Sequence, residues 1–238
     1  MTTPPGLYAA RLIARRPESA RGQILVVAPE VPVGHTEAGQ YCALGVPVGH
    51  ASTRFDLDYP TPPEAPDAFF AIASAPGPGP LEFYVQPAGG VSDLLIGLPL
   101  GSELRLGPPL GPGYGLSAAL AHGGPLHALA TGSGLSGLRA ALIQLHAAGR
   151  TVHLRAGFRT PDHVLFAHDL EGFRRAGSTI ELLFSQPDGA RVQGLLAAQA
   201  PDLRDAWVLA CGQWAMQEEA RHICLGLGLR PERFLTNY

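Results

Sequence analysis

Two domains of different class are expected from this sequence: an all-β sandwich or barrel first, then an α/β domain built on a parallel sheet. Three observations lead there. Residues 7–106 read as short strand-like runs punctuated by Gly and Pro, residues 107–125 are themselves rich in Gly and Pro, and residues 126–235 alternate strand-like and helix-like runs.

The strand-like runs of the first half are Leu7–Ala14, Gln23–Ala28, Tyr41–Val46, Phe69–Ser74, Leu81–Gln86 and Glu103–Leu106. Tyr59–Pro66 is a loop by composition, because proline supplies no ladder donor. The boundary falls in Gly107–Pro125, which gives domains over residues 1–112 and 118–238. Beyond it, Leu126–Ala130, Thr151–Ala156, Thr179–Phe184 and Ala206–Ala210 are strands. Leu135–Ala148, His163–Ala176 and Trp214–Leu225 are helices, the first two stopped by Gly149 and Gly177. Strands alternating with helices imply a parallel sheet covered on both faces.

Composition narrows the partners. The 238 residues carry 17 basic and 20 acidic side chains, for a net charge of −3, and every basic residue is Arg. Nothing there recruits nucleic acid or an anionic membrane. No apolar run reaches the ~20 residues of a membrane span, and no secretory signal pattern opens the chain. Cys42, Cys211 and Cys224 are three and widely spaced, so neither a disulfide framework nor an iron–sulfur ligand set is implied. A reducing cytoplasmic location is the expectation. His163 and His168 miss the i, i+4 register of a zinc helix, and no metal site is expected.

The strongest local motif is Thr131-Gly132-Ser133-Gly134-Leu135-Ser136-Gly137. It holds G-x-G-x-x-G between a strand and a helix, the setting in which backbone amides and a helix N-terminus meet a pyrophosphate. A ligand-free glycine-rich turn is the alternative. The next strand, Thr151–Arg159, lacks the acid that commonly binds the ribose. Arg155 and Arg159 either face a phosphate there or lie on a solvated strand end.

Taken together these segments resemble the ferredoxin–NADP reductase-like flavoprotein superfamily over nearly the whole chain. Gly132–Gly137 is similar to its G-T-G-I-A-P turn, with Gly137 where proline is usual. Gly157-Phe158-Arg159-Thr160-Pro161-Asp162 is similar to its G-x-R-T-P-x-D segment. Cys211-Gly212-Gln213-Trp214-Ala215-Met216 is similar to its C-G-P-P-x-M motif, with both prolines replaced. In the first half, Glu37–Tyr41 resembles P-G-Q-F/Y, Gly89-Gly90-Val91-Ser92 resembles a flavin-phosphate turn, and Leu106–Gly111 resembles the G-P-x-G closing segment. The fold implied is an N-terminal antiparallel β-barrel of flavin-domain type plus a C-terminal α/β parallel-sheet nucleotide-binding domain.

The chain departs from the superfamily at its flavin signature, R-x-Y-S/T. With Ile72-Ala73-Ser74-Ala75-Pro76 fixing the register, arginine is replaced by Ala68, tyrosine by Phe70 and the hydroxyl residue by Ala71. A charge-assisted hydrogen bond of the lost kind contributes roughly 1.5–3 kcal/mol. Ala68→Arg is therefore expected to tighten flavin binding by about a decade, and Arg54 is a candidate substitute.

The resemblance implies FAD and NAD(P)H as cofactors. It assigns Phe70, Ala71, Ile72, Ser74, Gly89, Gly90, Val91 and Ser92 to flavin. It assigns Thr131, Gly132, Ser133, Gly134, Arg159, Gly212 and Met216 to the nucleotide. Cys211 would sit beside the nicotinamide, the alternative being a buried small residue at a strand end, and Tyr238 would stack over the flavin, the alternative being a frayed chain end. Trp214 either packs on nucleotide or blocks that position. The expected activity is electron transfer from NAD(P)H through flavin to a separate acceptor protein of iron–sulfur, haem or flavodoxin type. The alternative is a member without flavin, acting as a nucleotide-sensing or structural subunit of a redox complex.

Overall fold

The computed structural model describes residues 7–47, 67–187 and 189–237. The chain forms two compact units, one from Met1–Thr36 with Gln40–Leu110, the other from Glu37–Gly39 with Gly111–Tyr238.

The first unit is a six-stranded antiparallel sheet. Its strands are β1 (Tyr8–Glu18), β2 (Gly22–Pro29), β3 (Tyr41–Gly45), β4 (Asp67–Ala71), β5 (Leu81–Val85) and β6 (Glu103–Leu106), in the order β4-β3-β6-β1-β2-β5. The two outer strands meet through one antiparallel bridge, Ile72 to Phe83, and the Ala73 N–H donates to the Glu82 carbonyl at 2.8 Å. That bridge brings the two ends of the sheet together at one point.

Alternation along the strands fills the interior. Leu12, Leu25, Cys42, Leu44, Phe83, Leu104 and Leu106 point inward and form one core. A bulge in β1 between Leu12 and Ala14 turns Ile13 outward. The helix α1 (Val91–Gly97) follows β5 and seals the core with Val91, Leu94 and Leu95. The flavin-phosphate resemblance does not predict this helix, although Gly89 and Gly90, both at positive φ, lead straight into it.

The second unit is a five-stranded parallel sheet, ordered β11-β10-β7-β8-β9. Its strands are β7 (Leu126–Thr131), β8 (His153–Phe158), β9 (Thr179–Phe184), β10 (Trp207–Cys211) and β11 (Phe234–Leu235). Around it lie α2 (Ser117–His122), α3 (Gly134–Ala147), α4 (Ala167–Arg175), α5 (Val192–Gln199) and α6 (Trp214–Gly226). The central strands β7 and β10 are buried on both faces, and both are mainly apolar, with His127 the buried polar residue of β7.

One expected helix is shorter than its sequence suggests. Instead of a helix over His163–Ala176 there is a 3-10 turn at Pro161–His163, and α4 begins only at Ala167. Phe166 takes left-handed dihedrals (φ 54°), which breaks the helix and tucks Leu165 and Phe166 into the interior. The short α2 and α5 carry no strong sequence signal and escape a pattern reading.

Strand order places the site. From β7 the chain moves outward through β8 to β9, then returns to lay β10 on the other side of β7. Parallel sheets open a crevice at such a reversal, beyond the carboxyl ends of the two strands. Here those ends are Thr131 and Cys211.

Candidate functional site

The loops after β7 and β10 interlock through glycine. At Gly132 the backbone takes φ 52°, and its N–H donates to the Gly157 carbonyl at 2.8 Å. The Leu135 N–H then donates to Gly132 and the Ser136 N–H to Ser133, which tightens the first turn of α3. The Ser136 hydroxyl also donates to the Ser133 carbonyl at 2.7 Å. Among the described residues, the amides of Ser133 and Gly134 have no acceptor and remain available at the helix N-terminus.

Gly134 must be glycine for packing. A Cβ there would lie 2.5 Å from the Cys211 carbonyl oxygen and 2.8 Å from the Gly212 Cα. At Gly212 (φ 151°) a Cβ would overlap the Thr131 hydroxyl and approach the Met216 methyl to 2.8 Å. The Thr131 hydroxyl accepts from the Gln213 N–H at 3.4 Å, and the Gln217 amide donates to the Gly212 carbonyl at 2.8 Å. Thr131, Gly132, Ser133, Gly134, Cys211 and Gly212 are thus brought together. Met216 is buried beneath α6, with its methyl beside Gly212 at the same corner.

Cys211 is 8% exposed, and its Sγ lies 3.6 Å from the Asn237 Oδ1. Asn237 in turn donates to the Gly39 carbonyl at 3.2 Å, which ties the C-terminal segment to this corner. Burial pushes the Cys211 thiol up to about 11, against the opposing pull of Tyr114 and the Gly212 amide. It is therefore a neutral thiol at pH 7 and no nucleophile. Trp214, the first residue of α6, is 64% exposed. Tyr238 and Arg54 lie outside the described residues.

The two arginines of β8 and its end part company. Arg159 is exposed and its Nε donates to Gln186 at 3.0 Å. Arg155 fits neither expectation for it, being 1% exposed with Nε donating to Gln199 at 2.8 Å and lying 3.2 Å from Glu181. His127 and His153 complete that buried cluster. A cavity of about 470 Å³ opens beside it, lined by His127, Arg150 and His153 at the amino ends of the strands, far along the sheet from the Gly132 turn.

On the barrel the register of the expected flavin signature shifts by one residue. Ala68 and Phe70 pack against the barrel core, and Ile72 is wholly buried. Asp67 and Phe69 face outward instead. Phe69 is 66% exposed and meets Tyr41 edge to face at 5.6 Å. Phe70 is thus not the aromatic on offer, and an arginine at position 68 would point at the core rather than at a phosphate. Strand β4 ends at Ala71, so Ile72 and Ala73 are both buried and the alternation is lost where the register was anchored. Ser74 accepts from the Glu82 N–H at 3.2 Å, a structural bond.

Two carboxylates that the motifs did not single out bear on a flavin phosphate. Asp67 receives the Arg105 guanidinium at 2.7 Å. The Asp93 carboxylate accepts from the Ala88 and Gly89 amides at 3.1 and 3.2 Å, and the Ser92 hydroxyl donates back to the Gly89 carbonyl at 2.9 Å. The Gly89 amide and the Ser92 hydroxyl therefore serve the chain itself, while among the described residues the amides of Gly90, Val91 and Ser92 at the start of α1 have no acceptor. Phe69 supplies an outward aromatic ring, and the Arg105 guanidinium is taken by Asp67.

A chain of this architecture has the fold of the ferredoxin–NADP reductase-like flavoproteins. Solved structures make the likeness specific. The FAD/NAD-binding domain of nitric oxide dioxygenase from Vibrio cholerae superposes with a TM-score of 0.77 at 17% identity, over 96% of this chain and 97% of that one. The cytochrome P450 reductase GcoB of Amycolatopsis gives 0.78 at 20%, over 97% and 69%. The ferredoxin-NADP+ reductase of Plasmodium falciparum gives 0.75 at 16%, over 99% and 97%. No family model and no curated protein matches the sequence.

Proposed function

We propose that this chain is an NAD(P)H-dependent flavin oxidoreductase that passes electrons to a separate acceptor protein. In this reading residues 118–238 bind the nucleotide and residues 1–112 meet the flavin. The observation that carries it is the corner where Gly134, Cys211 and Gly212 approach too closely for any side chain, with the Ser133 and Gly134 amides left available at the strand-order reversal. Such amides at a helix N-terminus suit a phosphate.

NAD(P)H supplies a hydride, and the chain's part is to place it. Ser133 and Gly134 donate to the pyrophosphate, and Arg159, at the surface, meets the outer end of the nucleotide. Cys211, neutral and buried, forms the floor beneath the nicotinamide. Trp214 presents an exposed ring at the same loop. Three cysteines without disulfides suit a reducing cytoplasm. Among the described residues no helix is long and apolar enough to cross a membrane.

Asp67 and Asp93 favour a second reading, a nucleotide-binding subunit without flavin. NADH and NADPH oxidation with and without added FAD separates the two. Flavin-dependent oxidation supports the first; nucleotide binding with no flavin-dependent turnover supports the second. In the first case Arg159→Ala should raise the KM for NADPH roughly tenfold, the effect of one lost charge-assisted bond.

A further inference from the structure

The amino ends of the parallel strands carry a second polar site. The cavity of about 470 Å³ found there lies within the α/β unit, and His127, Arg150, Thr151, His153 and Thr179 supply its polar side chains. A space of that size takes a small molecule. No aspartate or glutamate is part of the lining. The two acids close by are engaged elsewhere. Glu181 lies 2.5 Å from His153 and 3.2 Å from Arg155, and it accepts from Gln199 at 2.6 Å. Asp205, whose backbone packs on Gly124, is held by Arg233 at 3.1 Å.

His127 sets the polarity of the cavity. The residue is 7% exposed, and its Nδ1 lies 3.3 Å from an Arg155 guanidinium nitrogen. A guanidinium only donates, so Nδ1 accepts and the ring proton sits on Nε2. Burial, with Arg155 and His153 nearby, lowers the imidazole to about 4, so at pH 7 this neutral tautomer stands. Among the described residues Nε2 has no acceptor, and it is not closed off by protein atoms. A buried ring therefore offers an unused donor where it lines the cavity.

Arg150 adds fixed positive charge. Its Nη1 donates to the carbonyls of Ala119 and Leu120 at 3.2 and 3.3 Å, and its Nη2 donates to Gly124. Those bonds hold the guanidinium in the wall and leave Nε unused. Thr151 and Thr179 add exposed hydroxyls to the lining. Hydrogen-bond donors, a held cation and no lining acid are what an oxyanion needs.

We propose that this cavity binds a small metabolite through an oxyanion, a phosphate monoester or a carboxylate, at a site separate from the Gly132 turn. Strand β7 carries His127 near its start and Thr131 at its end. At the rise of a strand those two residues are roughly 13 Å apart, so one small ligand does not span both places.

The test is calorimetric titration of the full chain with inorganic phosphate, glycerol 2-phosphate and succinate at constant ionic strength. Histidine side-chain nitrogen NMR of the same samples locates the anion. At least one of the three should bind and shift the His127 Nε2 signal; the phosphates doing so identify a phosphate site, succinate alone a carboxylate site. His127→Phe, which removes the donor, should weaken binding about tenfold, the effect of one lost bond to a charged group. Thr179→Val, on an exposed position that leaves the fold intact, should weaken it about threefold, and His127→Gln, which keeps an N–H, should weaken it less than His127→Phe. Absence of binding by all three anions overturns the inference. Binding that leaves the His127 signal unmoved and is indifferent to Thr179→Val also overturns it, since the anion then lies elsewhere, and the nucleotide reading of the Gly132 turn is untouched.

Discussion

Gly132 and Gly134 are both glycines of one turn, yet they answer to different physics. Gly132 needs its left-handed dihedral, but a Cβ there would meet nothing within 4 Å. Gly132→Ala should therefore cost about 1–2 kcal/mol in stability, the penalty for a non-glycine residue in that conformation. Gly134 has ordinary dihedrals and no space. Gly134→Ala should push apart the loops after β7 and β10, lower Tm further than Gly132→Ala does, and weaken NADH binding more. Thermal unfolding and a nucleotide titration of the pair check both statements. The motif G-x-G-x-x-G was legible in sequence; which glycine serves dihedral freedom and which serves closeness was not, because that depends on Cys211, far along the chain.

His127 gives a pH signature. Burial, with Arg155 and His153 adding repulsion, lowers its imidazole from an ordinary 6.5 to about 4. The unfolded chain takes up a proton on this histidine below pH 6.5, while the folded chain stays neutral until about pH 4. Its contribution to stability is thus whole above pH 6.5, falls as pH drops through that window, and is gone near pH 4. Urea unfolding of His127→Gln should show a shallower loss of stability between pH 6.5 and 4 than the wild type. An identical slope would show that other groups set it.

Among the elements, the strands of both sheets were legible because burial pattern and turn residues agree in them. Leu126–Thr131 and Trp207–Cys211 are buried on both faces and mainly apolar, as central parallel strands are, His127 apart. Strand β8 departs further, since Arg155 sits at a fully buried position within it. Its partners Gln199 and Glu181 come from α5 and β9. Arg155→Met should leave Glu181 and Gln199 without their cation and cost about 3 kcal/mol. A denaturant midpoint unchanged by that substitution would contradict the assignment of Arg155 to the sheet interior.

The flavin signature was illegible for an element-level reason. Its register was anchored on Ile72–Pro76, beyond the end of β4, where alternation no longer holds. One residue of slip exchanges inside and outside, so Phe70 went inward and Phe69 outward. Asp67, Asp93 and Arg105 left no trace in the motifs, because their meaning arises from the pairing of β4 with β3 and β6 and from the turn into α1. A strand-pairing reading that put Gly45 opposite both Asp67 and Arg105 would have found the first pair.

At the scale of the whole molecule, each unit conveys a different half of the account. The α/β unit has a corner assembled by close glycine packing at the strand-order reversal, where the proposed nucleotide would bind. The barrel unit presents an outward Phe69 ring, and its Arg105 is paired with Asp67. On the proposed reading the first unit would place NAD(P)H and the second would meet the flavin.

Anaerobic stopped-flow mixing of the protein and excess flavin with NADH or NADPH tests this most directly, with loss of the oxidised-flavin absorbance as the signal. The account predicts protein-dependent bleaching of flavin, with two electrons transferred per nucleotide consumed. No bleaching with either nucleotide would contradict the oxidoreductase itself.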